Sequence, residues 1–309
     1  MNNCDSNKEL YREVIGLLPA GGQATRIAPL PCSKELYPVG FRRVDEDHSL
    51  RPKVVCHYLL EQMRLAGINK AYVVLREGKW DIPTYLGDGT MLGMHLAYLM
   101  MRLPFGAPYT LDQAFPFVQD ALVALGFPDI MFQPDDAFVQ LLAQQAATKA
   151  DVVLGLFPTD QPHAADMVEW DDSGQVRRIV IKPAQTDLRY AWIIAVWTPA
   201  FTHFMHAYLV AIQKGAQDKA SNGKPKPREL FVGHVIQAAI EAGLRVEKLL
   251  FPDGSYRDIG TPDNLVKTVH NNVAQVTDLH FARETSRLYA VETIVSEERL
   301  LHEYDQRKI

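Results

Sequence analysis

Continuous apolar runs, separated by stretches in which apolar residues recur at helical spacing, dominate the first half of the chain. Residues 14–19 (VIGLLP) form an unbroken apolar run, the pattern of a strand covered on both faces of a parallel sheet. The run ends in a turn at Gly21-Gly22. Residues 53–66 (KVVCHYLLEQMRLA) predict a helix stopped by Gly67, and residues 70–75 (KAYVVL) predict the next buried strand. The same order recurs as strand 123–126, the turn segment FPDIMF, helix 134–150 and strand 151–157 (DVVLGLF). Asp135-Asp136 falls at the start of that helix, where an acidic pair reads as a cap favoured by the helix dipole.

The pattern then changes. Residues 167–170 and 176–181 flank Asp171-Asp172-Ser173-Gly174, which is hairpin chemistry and predicts antiparallel strands inserted beside parallel ones. Residues 214–228 (KGAQDKASNGKPKPR) are rich in lysine, glycine and proline and predict a mobile surface loop. Helical spacing resumes at Leu230, a strand follows over 246–251, and the chain beyond Val266 has a helical pattern. The whole predicts a doubly wound, mostly parallel, Rossmann-like α/β sheet over 10–270 with inserted antiparallel strands, and a helical C-terminal extension over 271–309. That extension is the expected surface for association into a homo-oligomer.

Composition narrows the partners. The 309 residues include 47% hydrophobic ones, enough for a full core, and a net charge of -5 gives no general attraction to nucleic acid or to an anionic membrane. Any anion site must therefore be local, which points to small phosphorylated ligands rather than polymers. Cys4, Cys32 and Cys56 match neither a disulfide framework nor a zinc pattern, as expected of a reduced protein. The start MNNCDSNKELYREV lacks the apolar core of a signal peptide, and no apolar run reaches the ~20 residues of a bilayer span, so the expected location is the cytoplasm.

The segment 19–40 (PAGGQATRIAPLPCSKELYPVG) carries the most chemical information. Ala20, Gly21 and Gly22 directly after a buried strand let the backbone turn and present N–H groups to phosphate oxygens, with Thr25 beside them. Arg26 adds a forked cation suited to phosphate, and Lys34 adds a second charge. This is neither a Walker A loop nor G-x-G-x-x-G, which argues against an NAD-dependent oxidoreductase. His203 and His206 share one helical stretch without a carboxylate or cysteine pattern for zinc, and no G-x-S-x-G elbow is present.

The segment resembles the G-G-x-G-T-R-x-x-P signature, followed by Lys and Pro-Val, of the sugar-1-phosphate nucleotidyltransferases, the group that includes glucose-1-phosphate thymidylyltransferase. Three further blocks follow in family order: Tyr85-Leu86-Gly87-Asp88-Gly89-Thr90, Leu125-Gly126-Phe127-Pro128-Asp129-Ile130-Met131-Phe132, and Asp258-Ile259-Gly260-Thr261-Pro262. Lys182-Pro183 matches the family's Lys-Pro, so the resemblance covers roughly residues 14–268. It implies transfer of NMP from an NTP to a phosphorylated acceptor, a sugar 1-phosphate in that family, with release of pyrophosphate. By the same resemblance Arg26, Lys34, Asp129 and Asp258 are catalytic, the two aspartates hold Mg²⁺, and Gly87, Asp88 and Thr110 join the loop in binding nucleotide. Lys182, Ile181 and Trp192 then contact the acceptor.

Departures from the family pattern cluster in the recognition pockets. Ala24 stands at a glycine position, Ile130 at an asparagine position and Ile181 at a glutamate position. Ala191-Trp192-Ile193-Ile194 replaces Thr-Gly-Ile/Leu-Tyr, Thr110 replaces a glycine, and no base-reading glutamine lies in register. The expected acceptor pocket is therefore less polar than a hexose site. A non-catalytic, nucleotide-sugar-binding regulatory relative of the same fold is the alternative, since the turn around Asp129 is altered while the charged residues remain.

Overall fold

The computed structural model describes residues 13–43, 49–101, 106–220 and 229–270. The predicted C-terminal extension, and with it the oligomer surface, lies outside the described residues. So do residues 221–228 of the predicted loop.

The apolar run becomes β1 (Val14–Pro19), whose interior positions are all buried. A hairpin of β2 (Pro38–Arg43) and β3 (Leu50–Val54) follows and leads into α1 (Val55–Leu65). Lys53 and Val54 thus belong to a strand that the helical spacing did not reveal. After α1 come β4 (Lys70–Leu75), α2 (Asp81–Leu86), β5 (His95–Met100), α3 (Ala107–Asp112) and α4 (Phe115–Val118). The next unit is β6 (Leu122–Leu125), β7 (Ile130–Gln133), α5 (Ala137–Thr148) and β8 (Val152–Pro158). The hairpin β9 (Asp166–Trp170) and β10 (Val176–Ile181) pairs antiparallel as its turn residues predict, and β11 (Tyr190–Trp197) follows. Then come α6 (Pro199–Ala220), α7 (Val232–Glu241), β12 (Val246–Leu250) and β13 (Ser255–Asp258), with residues 262–270 helical. Residues 214–220 are the end of α6 and not a loop, because their lysine, glutamine and alanine content favours helix.

Among the described residues nine strands make one sheet, with β10-β9-β11-β6-β1-β4-β5 in order and β8 joining β11 to β12. β1 runs parallel to β4 and β6, β4 to β5, and β8 to β12, whereas β11 runs against β6, β8 and β9. The sheet is therefore mixed, parallel in its first half and interleaved with opposed strands in its second. One face carries Leu59, Leu60 and Met63 of α1 with Phe138 and Leu141 of α5. The other carries Leu111 of α3, Phe201, Met205 and Leu209 of α6, and Val235 and Ile236 of α7. Both faces are dry, which is why the strands read as unbroken apolar runs. Among the described residues no helix is long and apolar enough to cross a membrane.

This topology sets the working edge. β1 sits between β4 on one side and β6 on the other, so the loops leaving their carboxyl ends splay apart and open a crevice, the position where sheets of this kind bind ligands. A separate two-stranded ribbon of β7 and β13 stands at that edge.

Candidate active site

The glycine-rich loop leaves β1 into the crevice. Ala20 is buried and its N–H donates to the carbonyl of Val74 at 2.8 Å, extending the sheet by one residue. Its N–H is thus committed to the sheet, so any contact of Ala20 with a nucleotide would run through its carbonyl or methyl group. Gly21, Gly22 and Thr25 do line a cavity of about 480 Å³, together with Lys34, Thr110 and Asp129. A Cβ on Gly21 would come within 2.4 Å of Met101 Sδ, so the glycine permits the close approach of that wall. Ala24 takes the left-handed backbone conformation at φ 54°, and its carbonyl accepts the N–H groups of Ile27 and Ala28 at 3.0 Å each. The family's glycine at this position is accounted for: the turn needs a positive φ, and this chain makes it with an alanine. The turn carries Arg26 out of the first cavity and into a second one of about 440 Å³, where its guanidinium lies 3.6 Å from Asp258.

Lys34 is held differently. It opens one turn of 3-10 helix, Lys34–Leu36, and residues on either side are anchored. Ser33 donates its N–H and hydroxyl to the Asp81 carboxylate at 2.6 and 2.7 Å, and the buried Glu35 accepts Lys79 Nζ with both oxygens at 2.8 Å. Burial raises the Glu35 pKa, and Lys79 pulls it back. Between these anchors Lys34 Nζ donates to Asp129 Oδ2. Burial disfavours the Lys34 charge, but Asp129, with help from Glu35 and Asp258, outweighs it and raises the pKa above that of an ordinary lysine. Lys34 is therefore a fixed, interior cation, in contrast to Arg26.

The two aspartates meet through the β7–β13 ribbon. Asp258 pairs with Ile130 across the ladder, and the N–H of Ile259 donates to the carbonyl of Asp129 at 3.1 Å. Residues 129 apart in sequence thereby become neighbours at one end of a hydrogen-bonded ladder. Burial first, and then the negative charge of Asp129, raise the pKa of Asp258; the N–H of Gly260, donating to Oδ1 at 2.7 Å, works the other way with Lys34 and Arg26. Phe127 and Asp129 line both cavities, so the second cavity begins where the first ends.

The second cavity is walled by Lys182, Trp192, Asp166, Phe231 and Tyr256 in addition to Arg26 and Asp258. Lys182 sits at φ 41°, and its ammonium lies 3.9 Å above the ring of Phe231. Ile181, expected to contact the acceptor, is not among the lining residues; its Cδ1 packs against Gly233 in the first turn of α7. Trp197 is core, donating Nε1 to Thr202 Oγ1 at 2.9 Å.

Gly87 and Asp88 line neither cavity. Gly87 follows α2 at φ 57° and Asp88 Oδ1 accepts the N–H of Thr90 at 2.9 Å, so the Leu-Gly-Asp-Gly-Thr block forms a tight turn beside β5. These two, expected to bind nucleotide, are thus placed in a turn outside the two cavities. His206 does have a carboxylate partner, which the sequence did not show: its Nδ1 lies 3.0 Å from Asp112 Oδ1, joining α6 to α3. Asp136 occupies the N-cap position of α5 without a side-chain cap bond, and Asp135 instead accepts Gln62 Nε2 at 3.1 Å. The sequence reading missed Asp166, Phe231, Tyr256, Glu35 and Lys79. The Lys-Glu pair inside Ser33-Lys34-Glu35-Leu36 was visible, but its partner Lys79 is fixed only by the fold.

A family model described as nucleotidyl transferase matches residues 15–275. The chain is similar to a low-salt glycan biosynthesis nucleotidyltransferase of Haloferax volcanii, at 24% identity over 257 residues, 82% of this chain and 64% of that protein. It is also similar to the glucose-1-phosphate thymidylyltransferase of Streptomyces griseus, at 26% identity over 270 residues, 85% of this chain and 66% of that protein. It thus spans just under two thirds of the length of these two relatives. Among solved structures, a UDP-glucose pyrophosphorylase complexed with UDP-glucose shares the fold, with a TM-score of 0.64 at 16% identity over 85% of this chain and 99% of that one.

Proposed function

The chain belongs to the nucleotidyl transferase family, and on that premise we propose that it moves a nucleoside monophosphate from an NTP to a small phosphorylated acceptor, a sugar 1-phosphate, releasing pyrophosphate. The observation that carries this reading is the meeting of two cavities at Asp129, one lined by the glycine loop and Lys34, the other by Lys182 and Trp192. Two substrates between which a nucleotidyl group passes need adjoining sites with charge at the junction. The relatives named for thymidylyl transfer to glucose 1-phosphate give the acceptor its class.

In this reading the backbone of Gly21 and Gly22 faces the NTP phosphates, and Lys34 supplies a fixed charge beside them. Arg26 approaches from the second cavity, and Lys182 holds the acceptor phosphate. An oxygen of that phosphate attacks the α-phosphorus; the new P–O bond forms as the bond to the β-phosphate oxygen breaks, and pyrophosphate leaves in line. Positioning and charge neutralisation suffice for such a transfer, which accounts for a site with cations and carboxylates but no side-chain nucleophile.

Asp129 and Asp258 would hold Mg²⁺. The fit is chemical: two hard oxygen donors are brought together, and the pKa of Asp258 is raised by burial and then by the negative charge of Asp129, both of which a divalent cation would offset. Lys34 engages only Oδ2 of Asp129. Bound there, Mg²⁺ would supply charge to the phosphate oxygens of both substrates. We place the reaction in the cytoplasm, where NTPs are made available.

A matrix of NTPs against hexose 1-phosphates and non-sugar phosphates, with Mg²⁺ and pyrophosphate release as the readout, tests the proposal. Release that requires one NTP and one acceptor together is expected. Ligand binding without release under any combination would instead identify a regulatory, non-catalytic relative.

A further inference from the structure

One carboxylate in the second cavity has no part in the mechanism above. Asp166, the first residue of β9, shares a wall with Lys182, Trp192 and Phe231. Its Oδ2 lies against the first turn of α7, where a Cβ on Gly233 would approach it to 2.5 Å. An anion at a helix N-terminus accounts for that oxygen. Oδ1 has no such account, for it is buried and without a hydrogen-bond partner. The indole Nε1 of Trp192, a residue 6% exposed, is likewise buried and unpartnered. Burial raises the pKa of Asp166, and Lys182, His234 and then the nearby indole of Trp192 pull it back, yet Nε1 makes no hydrogen bond of ordinary geometry with Oδ1.

Buried polar atoms in folded proteins are nearly always paired, so two orphans together on a cavity wall call for a ligand group. One is a donor and the other an acceptor. A hydroxyl answers both at once, taking the indole proton on its oxygen and giving its own proton to the carboxylate. An ammonium would leave the indole unpaired, and a carbonyl would leave the carboxylate unpaired.

Resting on the transfer reaction proposed above, we propose that Asp166 and Trp192 are specificity-determining residues that together grip one hydroxyl of the phosphorylated acceptor. The acceptor is then a polyhydroxylated phosphate, selected at a position away from the phosphate that Lys182 holds. A site built to bond a hydroxyl discriminates strongly against the analogue without it, because its own polar groups are left unpaired.

The test compares wild type, Asp166→Asn and Trp192→Phe by pyrophosphate release, using the best hexose 1-phosphate of a panel, each of its monodeoxy analogues and glucosamine 1-phosphate. In wild type one deoxy analogue should lose roughly tenfold or more in kcat/KM, the loss expected when a hydrogen bond to a charged group goes unmade. In both variants the parent sugar should fall to that level, that analogue should lose little more, and KM for the NTP should stay constant. A role confined to capping α7 would lower Tm and leave the parent-to-deoxy ratio as in wild type, which would overturn the inference. So would a parent sugar unaffected by either variant, or a preference for the amino sugar that depends on Asp166. Absence of pyrophosphate release in wild type with every acceptor would overturn the transfer reading itself, and this inference with it.

Discussion

The two cations of the glycine-loop segment sit in different environments, and their removal should separate stability from catalysis. The Lys34 and Asp129 side chains are 12% and 14% exposed, so theirs is a buried pair. Deleting one partner of a buried pair costs about 3 kcal/mol or more, because the other charge is left without compensation. For a domain of this size 1 kcal/mol moves Tm by roughly 2–4 °C, so Lys34→Ala should lower Tm by about 6–12 °C. Arg26 is 61% exposed and 3.6 Å from an Asp258 side chain that is 33% exposed, an arrangement that gains little in water. Arg26→Ala should therefore change Tm by no more than about 3 °C. The double variant Lys34→Ala/Asp129→Asn removes the orphan charge and should recover most of the Tm lost in Lys34→Ala. Differential scanning fluorimetry without divalent cations reads all three. Pyrophosphate release should fall on the order of a hundredfold in both single lysine and arginine variants, since both act on phosphate charge. Equal Tm losses for Arg26→Ala and Lys34→Ala, or a double variant that loses as much Tm as Lys34→Ala alone, would refute the reasoning.

Asp258→Asn removes a carboxyl that burial, and then Asp129, hold above the ordinary aspartate range. The stability contributed by a carboxyl of raised pKa is complete below the unfolded value and is lost as pH rises through the folded one, so between about pH 4 and pH 7 Tm of the variant should fall less than that of wild type. Its turnover should drop on the order of a hundredfold, and parallel Tm profiles for the two proteins would contradict the assignment. Ala24→Gly relieves a left-handed backbone at φ 54°. It should stabilise by about 0.5–1 kcal/mol after the entropic penalty of glycine, visible as a small rise in Tm, and a fall would show that the methyl group makes a contact worth more. Lys182→Ala should raise KM for the acceptor by roughly tenfold or more while leaving that for the NTP nearly unchanged; the opposite pattern would move the lysine to the nucleotide side.

The strands that were legible in the sequence are those buried on both faces. β1, β4 and β8 are unbroken apolar runs, and the β9–β10 hairpin announces itself through Asp171 to Gly174. β5 was not legible because it lies at the end of the sheet with half its residues facing solvent, so HLAYLM shows neither a run nor a clean alternation. The glycine loop and the two aspartates could be found because their chemistry is local to short motifs. What could not be found is what those motifs meet. Lys34 looks like a surface lysine until the fold sets Asp129 against it, and Phe231 gains its place beneath Lys182 only when α7 packs on β10. The Gly87-Asp88 block shows the converse: the motif is local, and so is its structure, a turn in which Asp88 Oδ1 accepts the N–H of Thr90.

The central claim is that transfer occurs where the two cavities meet at Asp129, and product stoichiometry tests it most directly. Incubated with Mg²⁺, the preferred NTP and the preferred phosphorylated acceptor, wild type should form one molecule of nucleoside diphosphate-linked product, identified by mass spectrometry, for each pyrophosphate released. Asp129→Asn should lose both in equal proportion. Pyrophosphate release without acceptor, or full product formation by Asp129→Asn, would contradict the account.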